Sequence, residues 1–312
     1  MSKGITLSAG QEPASRVDVV IPARNAEKFI AAAVGSVLDQ TYPHVHCIVV
    51  DDASEDATAE IAGSFGDRVT VIRRRPRSGV AGARNIGIAA SEGEFIAFLD
   101  ADDMWLPTKI SKQIEMFLRQ PEVGLVYTGL HLIDDEGNFI GRIDPPKADE
   151  ALRNTLLLEP PVLSIAQTGL VRRAVLDAVG GFDEGLSTSA DCDLTCRIAT
   201  RFAVVPVPEP LALYRRHRGQ MHLDPDATRH DVEAIFECFF EGDVLPAELR
   251  GMRARAEANL KVSLAGKYRM MGDRARFLRL AASVALRRPD RFFAALHRLT
   301  RPDPAPGDRH RA

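Results

Sequence analysis

The stretch Glu94–Asp103, with the sequence EFIAFLDADD, decides the fold class of this chain of 312 residues. Its apolar run, Phe95–Leu99, is short and continuous, which is typical of a strand buried on both faces of a parallel sheet. Three acidic residues follow directly, Asp100, Asp102 and Asp103. Open α/β sheets bind ligands at the carboxyl ends of their strands, and carboxylates suit hard divalent cations and the phosphates they carry. The alternative is a polar loop, because aspartate is common where a strand ends.

Strands and helices alternate along the first part of the chain. The apolar runs Val17–Ile21, Cys47–Val50 and Val69–Ile72 predict three more strands, and segments with helical spacing separate them. Asn25 is placed to cap the first of these helices. Such strand–helix–strand units predict right-handed crossovers and a doubly wound parallel sheet.

The pattern changes after the helix that follows Pro107. Short apolar runs around turn residues predict antiparallel strands, and the chain becomes helical from about Asp231. We therefore expect an α/β fold with a mixed, mainly parallel sheet flanked by helices, and a C-terminal helical extension. The predicted later strands are Val123–Thr128, Leu130–Ile133, Phe139–Ile143, Leu163–Val171, Ala203–Val207 and Leu211–Tyr214.

Composition indicates a globular protein with two differently charged regions. The sequence is 45% hydrophobic and 27% charged, and its net charge is −3. Residues 251–312 carry a net charge of +10, whereas the first 250 residues carry −13. No run reaches the roughly 18 apolar residues of a transmembrane helix, and the N-terminus lacks a signal-peptide core. Four cysteines without paired spacing favour reduced thiols, so we expect a cytoplasmic protein.

Two acidic strand ends should face one crevice. Asp51 and Asp52 end one predicted parallel strand, and Asp100 and Asp102 follow another. The glycine-containing segment 79–84 does not match GxGxxG, and the chain has no P-loop. These absences argue against a dinucleotide oxidoreductase or a P-loop ATPase. A site that holds a nucleotide diphosphate through a metal and carboxylates fits the pattern better.

Ordered motifs extend this interpretation across residues 17–221. The motifs are Val19–Asn25, Val49–Ser54, Gly82–Gly87, Phe98–Asp103, Gly180–Glu184, Asp191–Arg197 and Tyr214–His217. Together they resemble the motifs of family 2 glycosyltransferases, which have the GT-A fold. The resemblance implies a glycosyltransferase domain at 17–225, with a nucleotide-sugar half at 17–126 and an acceptor half at 127–225. We expect a helical region at 226–300 after this domain, a flexible N-terminus at 1–16 and a disordered tail at 301–312.

The resemblance also implies roles for single residues. Asp102 would bind Mn²⁺ or Mg²⁺ on the diphosphate, His217 would reach the metal or the diphosphate, and Asp191 would be the catalytic base. The acceptor would lie beside Gly181, Phe182 and Asp183. The residues implied for the nucleotide-sugar pocket are Pro22, Arg24, Asn25, Asp52, Arg84, Asp100 and Ala101.

The implied reaction is transfer of one sugar, with inversion, from a nucleotide diphosphate sugar to an acceptor hydroxyl. The acceptor would be a glycan, a lipid-linked molecule or a small molecule, and the product a cell-surface glycan or glycoconjugate. The chain lacks the Gln-x-x-Arg-Trp signature of processive synthases, which favours a single transfer. Two alternatives are a catalytically inactive nucleotide-binding homologue and a sugar-nucleotide pyrophosphorylase, whose glycine-rich signature is absent.

Simpler explanations exist for several of these residues. Asp191 could be a helix N-cap without a catalytic role, since aspartate is favoured at N-cap positions. The arginines of segment 73–77 fit a solvated loop, because the surrounding domain is acidic and no nucleic-acid partner is expected. Arginines cluster around Phe277 and Leu280 in the basic C-terminal region. These helices could either contact an anionic membrane at its inner face or pack on the catalytic domain.

Overall fold

The computed structural model describes residues 15–217 and 224–287, with side chains up to residue 285. The predictions of a disordered tail at 301–312 and of a flexible N-terminus up to residue 14 concern residues outside these ranges, as does the end of the helical region predicted at 226–300. Within the described ranges, no helix is long and apolar enough to cross a membrane.

Four parallel strands form the first half of the sheet. Their order is β3-β2-β1-β4, and β1 pairs in parallel with both β2 and β4. This half confirms the predicted alternation of strands and helices. Its elements are β1 (Val17–Ala23), α1 (Ile30–Leu38), β2 (Val45–Asp52), α2 (Thr58–Gly63), β3 (Val69–Arg74), α3 (Gly79–Ala90) and β4 (Phe95–Phe98).

The second half makes the sheet mixed, as expected. β8 lies antiparallel between β4 and β6, while β6 and β9 pair in parallel, so the sheet continues as β8-β6-β9-β5 with β7 on β6. Its elements are β5 (Met104–Trp105), α4 (Lys109–Arg119), β6 (Val123–Ile133), β7 (Phe139–Ile143), α5 (Ala151–Leu156), α6 (Ile165–Thr168), β8 (Leu170–Arg172), α7 (Arg173–Val179), α8 (Ala190–Ala199) and β9 (Ala203–Arg215).

Several predictions about local structure were wrong. The predicted strands 123–128 and 130–133 form the single strand β6, and the predicted strands 203–207 and 211–214 form the single strand β9. The run Leu163–Val171 is not one strand, because α6 occupies its middle and only its end joins β8. Asn25 does not cap α1, whose N-cap position is Phe29. Asn25 instead takes a left-handed backbone conformation, with φ of 48°, in the loop that leaves β1.

Alternating side chains of the strands fill two cores, one on each face of the sheet. Val19 and Ile21 of β1 pack with α1 and α4, whereas Val20 points to the other face, where α3 lies. Helix α3 comes so close to β1 that a Cβ atom on Gly87 would lie 2.2 Å from Val20 Cγ1. Glycine at this position therefore allows α3 to pack directly on β1. Because α3 follows the parallel strand β3, its N-terminus lies near the carboxyl ends of the strands.

The C-terminal helices share these cores with the sheet. Ile235 and Phe239 of α9 belong to the core on the α3 face of the sheet. Phe277 and Leu280 of α12 pack against a third cluster, which also contains Leu260 of α11. This packing supports the second alternative for the basic region, as far as residue 285. The helices are α9 (Pro225–Glu241), α10 (Ala247–Arg250), α11 (Arg253–Met270) and α12 (Arg274–Arg287).

Candidate active site

A cavity of about 540 Å³ opens at the carboxyl ends of the parallel strands. It is bounded by the loops after β1 and β4, the N-terminal ends of α3 and α8, and the end of β9. A volume of this size can hold a ligand such as a nucleotide sugar. The candidate residues that line it are Pro22, Arg24, Asn25, Asp52, Arg84, Asp100, Ala101, Asp102, Asp191 and His217.

The loops after β1 and β2 support each other beside the cavity. The backbone amide of Asn25 donates to Ser54 Oγ at 3.0 Å, and Asn25 Oδ1 accepts from the amide of Glu55 at 2.9 Å. Ala53 has a φ of 63°, a left-handed conformation that costs free energy for a residue with a Cβ atom. This conformation turns the chain immediately after Asp52.

Asp52 binds the N-terminus of α3. Its Oδ1 accepts from the amide of Ser78 at 2.6 Å and from Ser78 Oγ at 2.8 Å, and its Oδ2 accepts from the amide of Gly79 at 2.9 Å. The carboxylate is 4% exposed. These hydrogen bonds hold the N-terminus of α3 against the end of β2.

Arg84 of α3 lies under the cavity and pairs with the first acidic residue after β4. Its Nη2 is 2.6 Å from Asp100 Oδ1, and its guanidinium lies 5.1 Å from the centre of the Phe182 ring. Arg84 is 5% exposed, and its buried Nε has no hydrogen-bond partner among the described residues. A buried cation at the cavity floor can attract a diphosphate.

The other two acidic residues after β4 contact the end of β9. Asp102 Oδ2 is 2.8 Å from His217 Nε2, and Asp103 Oδ1 accepts from the amide of Arg215 at 2.8 Å. Burial raises the pKa of Asp102, with a further contribution from Asp100, and burial raises the pKa of Asp103 well above its ordinary value. This end of the cavity therefore concentrates negative charge that the protein compensates incompletely.

The donor set fits a divalent cation that is shared with a substrate. Asp102 and His217 offer an oxygen and a nitrogen, and a cation beside Asp102 would offset the burial and the repulsion from Asp100 that raise its pKa. Among the described residues, no three histidine, cysteine, aspartate or glutamate side chains surround one metal position. Mg²⁺ commonly binds one or two carboxylates and completes its shell with phosphates and water, so this incomplete set is compatible.

Asp191 faces the cavity from the first turn of α8. It does not cap that helix, because the N-cap is Ser189. Ser164, just before α6, donates from Oγ to Asp191 Oδ2 at 2.7 Å. No hydrogen bond is found for Asp191 Oδ1 within residues 15–217 and 224–287, so one carboxylate oxygen can accept a proton from a bound hydroxyl.

The three residues predicted for the acceptor do not line the cavity. Phe182 is 4% exposed and packs edge-on against Phe98. Asn85 of α3 fastens this loop, because its Oδ1 accepts from the amide of Phe182 at 2.8 Å and its Nδ2 donates to the Phe182 carbonyl at 2.9 Å. A Cβ on Gly181 would lie 2.4 Å from Asn85 Oδ1, and Asp183 is exposed. The loop therefore supports Arg84 through the contact between the Arg84 guanidinium and the ring of Phe182.

Sequence reasoning missed several residues of the cavity. Arg77 lines it, and its Nε is 3.8 Å from Asp52 Oδ2, although the segment fitted a solvated loop. Gln167 of α6 also lines it, in a segment predicted as a strand. Ser164, which donates to Asp191, was also missed, because a single serine in an apolar stretch belongs to no recognisable motif. The arginines of segment 73–77 were the one available sign in the sequence. Because the segment leads out of β3, it would be expected at the same edge of the sheet as the cavity.

Comparisons with known proteins agree with this geometry. The sequence model of Glycosyl transferase family 2 matches residues 18–180, just over half of the chain. TuaG of Bacillus subtilis (strain 168), named for teichuronic acid biosynthesis, is 36% identical over 148 residues, which are 45% of this chain and 58% of TuaG. WfgD of Escherichia coli, a UDP-Glc:alpha-D-GlcNAc-diphosphoundecaprenol beta-1,3-glucosyltransferase, is 36% identical over 132 residues, 42% of this chain and 51% of WfgD. The matched segment thus spans just over half the length of either relative.

A solved structure shows the same fold. The mannosyltransferase PcManGT from Pyrobaculum calidifontis, determined in complex with GDP-Man and Mn²⁺, superposes with a TM-score of 0.61 at 19% sequence identity. The superposition covers 91% of this chain and 84% of PcManGT. The mixed sheet, flanked by helices with a cavity at its strand ends, is therefore of the GT-A type, and with the family match it establishes that the chain belongs to glycosyl transferase family 2.

Proposed function

We propose that this glycosyltransferase moves a single sugar from a nucleotide diphosphate sugar to an acceptor hydroxyl, with inversion and with Mn²⁺ or Mg²⁺. One observation carries the proposal: Asp102, His217 and Asp191 line a single cavity from different elements, with Asp102 beside His217 and Asp191 held by Ser164. The first pair suits a metal-bound diphosphate, and the second suits a proton acceptor.

The donor would lie with its diphosphate near Arg84 and Asp102. Asp102 and His217 would hold the divalent cation, which neutralises charge on the leaving diphosphate when it is bound. Arg84 would add a fixed positive charge, and its pairing with Asp100 keeps its guanidinium oriented. Pro22, Arg24, Asn25, Asp52 and Ala101 would surround the nucleoside, and Arg77 stands at the same end of the cavity.

Asp191 would act as the general base. The acceptor oxygen forms a bond to the anomeric carbon as the bond from that carbon to the diphosphate oxygen breaks. The hydroxyl proton passes to Asp191 Oδ1, and the nucleoside diphosphate leaves with the bonding electrons. A single displacement of this kind inverts the anomeric configuration. Ser164 would hold the carboxylate by its other oxygen, which keeps Oδ1 directed to the acceptor.

The acceptor would be a glycan, a lipid-linked sugar or a small molecule, with its hydroxyl beside Asp191 in the cavity. WfgD acts on a diphosphoundecaprenol-linked sugar by its name, which makes a lipid-linked acceptor the first to test. The turn between α11 and α12 would bring the enzyme to such a substrate. Met270, Met271 and Leu278 are 66%, 63% and 63% exposed there, and nearby arginines could contact anionic lipids. Adding anionic vesicles to the acceptor assay, at low and high salt, tests this contact.

A panel of nucleotide sugars with Mn²⁺ tests the function itself. We expect one of them to release nucleoside diphosphate slowly without acceptor and faster with it, and the anomeric configuration of the product should be inverted by NMR. Asp191→Asn keeps the size of the side chain but removes the proton acceptor. We expect it to lower turnover about 10²-fold or more, with donor affinity and melting temperature almost unchanged.

Asp177→Asn is the matched control, because Asp177 is an exposed aspartate of α7 outside the cavity. It should leave turnover unchanged. Normal turnover in Asp191→Asn would remove the base from the proposal. Nucleotide binding without any turnover in the wild type, across the whole panel, would instead favour an inactive nucleotide-binding homologue.

A further inference from the structure

A carboxylate from the C-terminal helix α9 holds the loop that precedes α8. Asp231 is 1% exposed. Its Oδ2 accepts from three consecutive backbone amides, those of Ser187, Thr188 and Ser189, at 2.9, 2.6 and 3.0 Å. The hydroxyl of Thr188 donates to the same oxygen at 3.1 Å. The interaction joins residues more than forty positions apart, so it connects the C-terminal helical region to the loop before α8.

Asp231 binds the segment that leads into α8 and not the amides of the helix's own first turn. A helix begins with backbone amides that lack partners inside the helix, and a local serine, threonine or aspartate usually accepts from them. The N-cap residue of α8, Ser189, makes no side-chain hydrogen bond of this kind. In α9, by contrast, Asp224 accepts from the amides of Asp226 and Ala227 in its own first turn. The segment that enters α8 is therefore held by Asp231 from another helix, whereas α8 has no side-chain cap of its own.

The loop bound by Asp231 is part of the cavity wall. Ser187 and Thr188 line the cavity, and Asp191 follows in the first turn of α8. A shift of the loop would move Asp191 relative to Ser164, which belongs to a different element. Displacements of about 1 Å at a reacting group can cost about 10²-fold in rate.

Helix α9 is itself held in place by α11. Lys267 Nζ is 2.5 Å from Thr228 Oγ1, and Tyr268 Oη donates to Asp226 Oδ1 at 2.8 Å. Val232 and Phe236 of α9 also belong to the third core cluster. Asp231 thus projects from a helix that α11 fixes by side-chain hydrogen bonds and core packing, and it can serve as a rigid support.

We propose that Asp231 is a positioning residue of the transfer reaction: it fixes Ser187–Ser189 and so sets the place of Asp191 in the cavity. This inference rests on the proposed role of Asp191. It makes the C-terminal helical region a component of the active site and not an appendage to it. The expected consequence is a loss of kcat without a matching loss of donor binding.

Asp231→Asn tests the inference, because it keeps the size of the side chain and removes the charge that binds the amides. We expect kcat to fall about tenfold or more, with the KM for the donor within about twofold. Hydrogen exchange at the amides of Ser187, Thr188 and Ser189 should become faster. Asp231→Glu retains a carboxylate and should restore part of the lost kcat. Should Asp231→Asn not fold, Asp231→Glu alone tests the inference, with a reduced kcat as the expected result.

Asp224→Ala is the matched control. It removes the N-cap of the same helix α9, and Asp224 is not among the described residues that line the cavity, so the variant should have a lower melting temperature and an unchanged kcat. Unchanged kcat and unchanged exchange in folded Asp231→Asn would overturn the inference. So would an equal loss of kcat in Asp224→Ala.

The outcomes separate this inference from the proposed function. If Asp191→Asn is inactive while Asp231→Asn has normal kcat, only the positioning role fails. If Asp191→Asn keeps its turnover, the proposed base fails, and the exchange measurement still reports whether Asp231 orders the loop.

Discussion

Two strand ends look alike in the sequence and differ in the structure. β2 ends at Asp51 and Asp52, and β4 is followed by Asp100, Asp102 and Asp103. The carboxylate of Asp52 accepts from the amides and the hydroxyl at the start of α3. The carboxylate of Asp102 meets a histidine and other carboxylates. Position at a strand end brings both to the cavity, but the surrounding donors decide what each one does.

The difference is electrostatic. Asp52 resembles Asp18, a fully buried residue of β1 that accepts from the amides of Glu92 and Gly93 and from Ser91 Oγ. Burial alone would raise the pKa of Asp18, but these hydrogen bonds and Arg16 lower it. After β4, burial and repulsion between carboxylates raise the pKa of Asp102 and Asp103. Asp52 thus has hydrogen-bond donors from the protein on both carboxylate oxygens, whereas the carboxylates after β4 repel one another and a cation would relieve that repulsion.

The largest expected effect comes from Asp102→Ala. It should reduce transfer by at least about 10³-fold, because a metal ligand and its charge disappear together. The melting temperature should stay the same or rise, since the raised pKa of Asp102 indicates that its ionised form is disfavoured in the fold. Released nucleoside diphosphate and thermal unfolding measure the two effects.

Wild-type protein in EDTA is the control for this variant and should behave in the same way. Mn²⁺ with nucleoside diphosphate should raise the melting temperature of the wild type and not that of Asp102→Ala. Full activity in EDTA, or a large loss of stability in the variant, would contradict the contrast between the two strand ends.

Asp52→Ala should have a smaller effect, and mainly on stability. The variant loses the cap of α3 and leaves buried amide donors without acceptors, so we expect unfolding to become easier by about 3 kcal/mol. Donor affinity should fall as the end of α3 loosens, but the Mn²⁺ concentration for half-maximal activity should not change. Chemical denaturation and metal titration test this, and an altered metal requirement without a loss of stability would show that the two ends act alike.

The parallel half of the fold could be predicted because its information is local. Each of its strands is a continuous apolar run, and the helices between them have clear periodicity. The segment 163–171 could not be assigned in this way, since a short apolar run suits a buried helix as well as a strand. Asn25 has the composition of a cap, but its φ of 48° arises from a loop that Ser54 and Glu55 hold from another strand end.

Partners that are backbone atoms are even harder to anticipate. The motifs placed Asp102, Asp191 and His217 at one cavity, and their types and order suggested their chemistry. Asp231 binds amides of residues more than forty positions away, and backbone amides leave no signature in a sequence. The same holds for Asp52, whose part in capping α3 is visible only when β2 and α3 are placed together.

Ser78→Ala should have the smallest effect and sharpens the comparison at β2. It removes the hydroxyl that donates to Asp52 Oδ1 at 2.8 Å but keeps the amide donors of Ser78 and Gly79. We expect a loss of about 1 kcal/mol in the free energy of unfolding, the usual contribution of one hydrogen bond. Ser64→Ala is the control, because its Oγ donates to the Ile61 carbonyl at 2.7 Å on the surface, and it should cost less. A loss in Ser78→Ala as large as that in Asp52→Ala would mean that the hydroxyl, and not the helix N-terminus, neutralises Asp52.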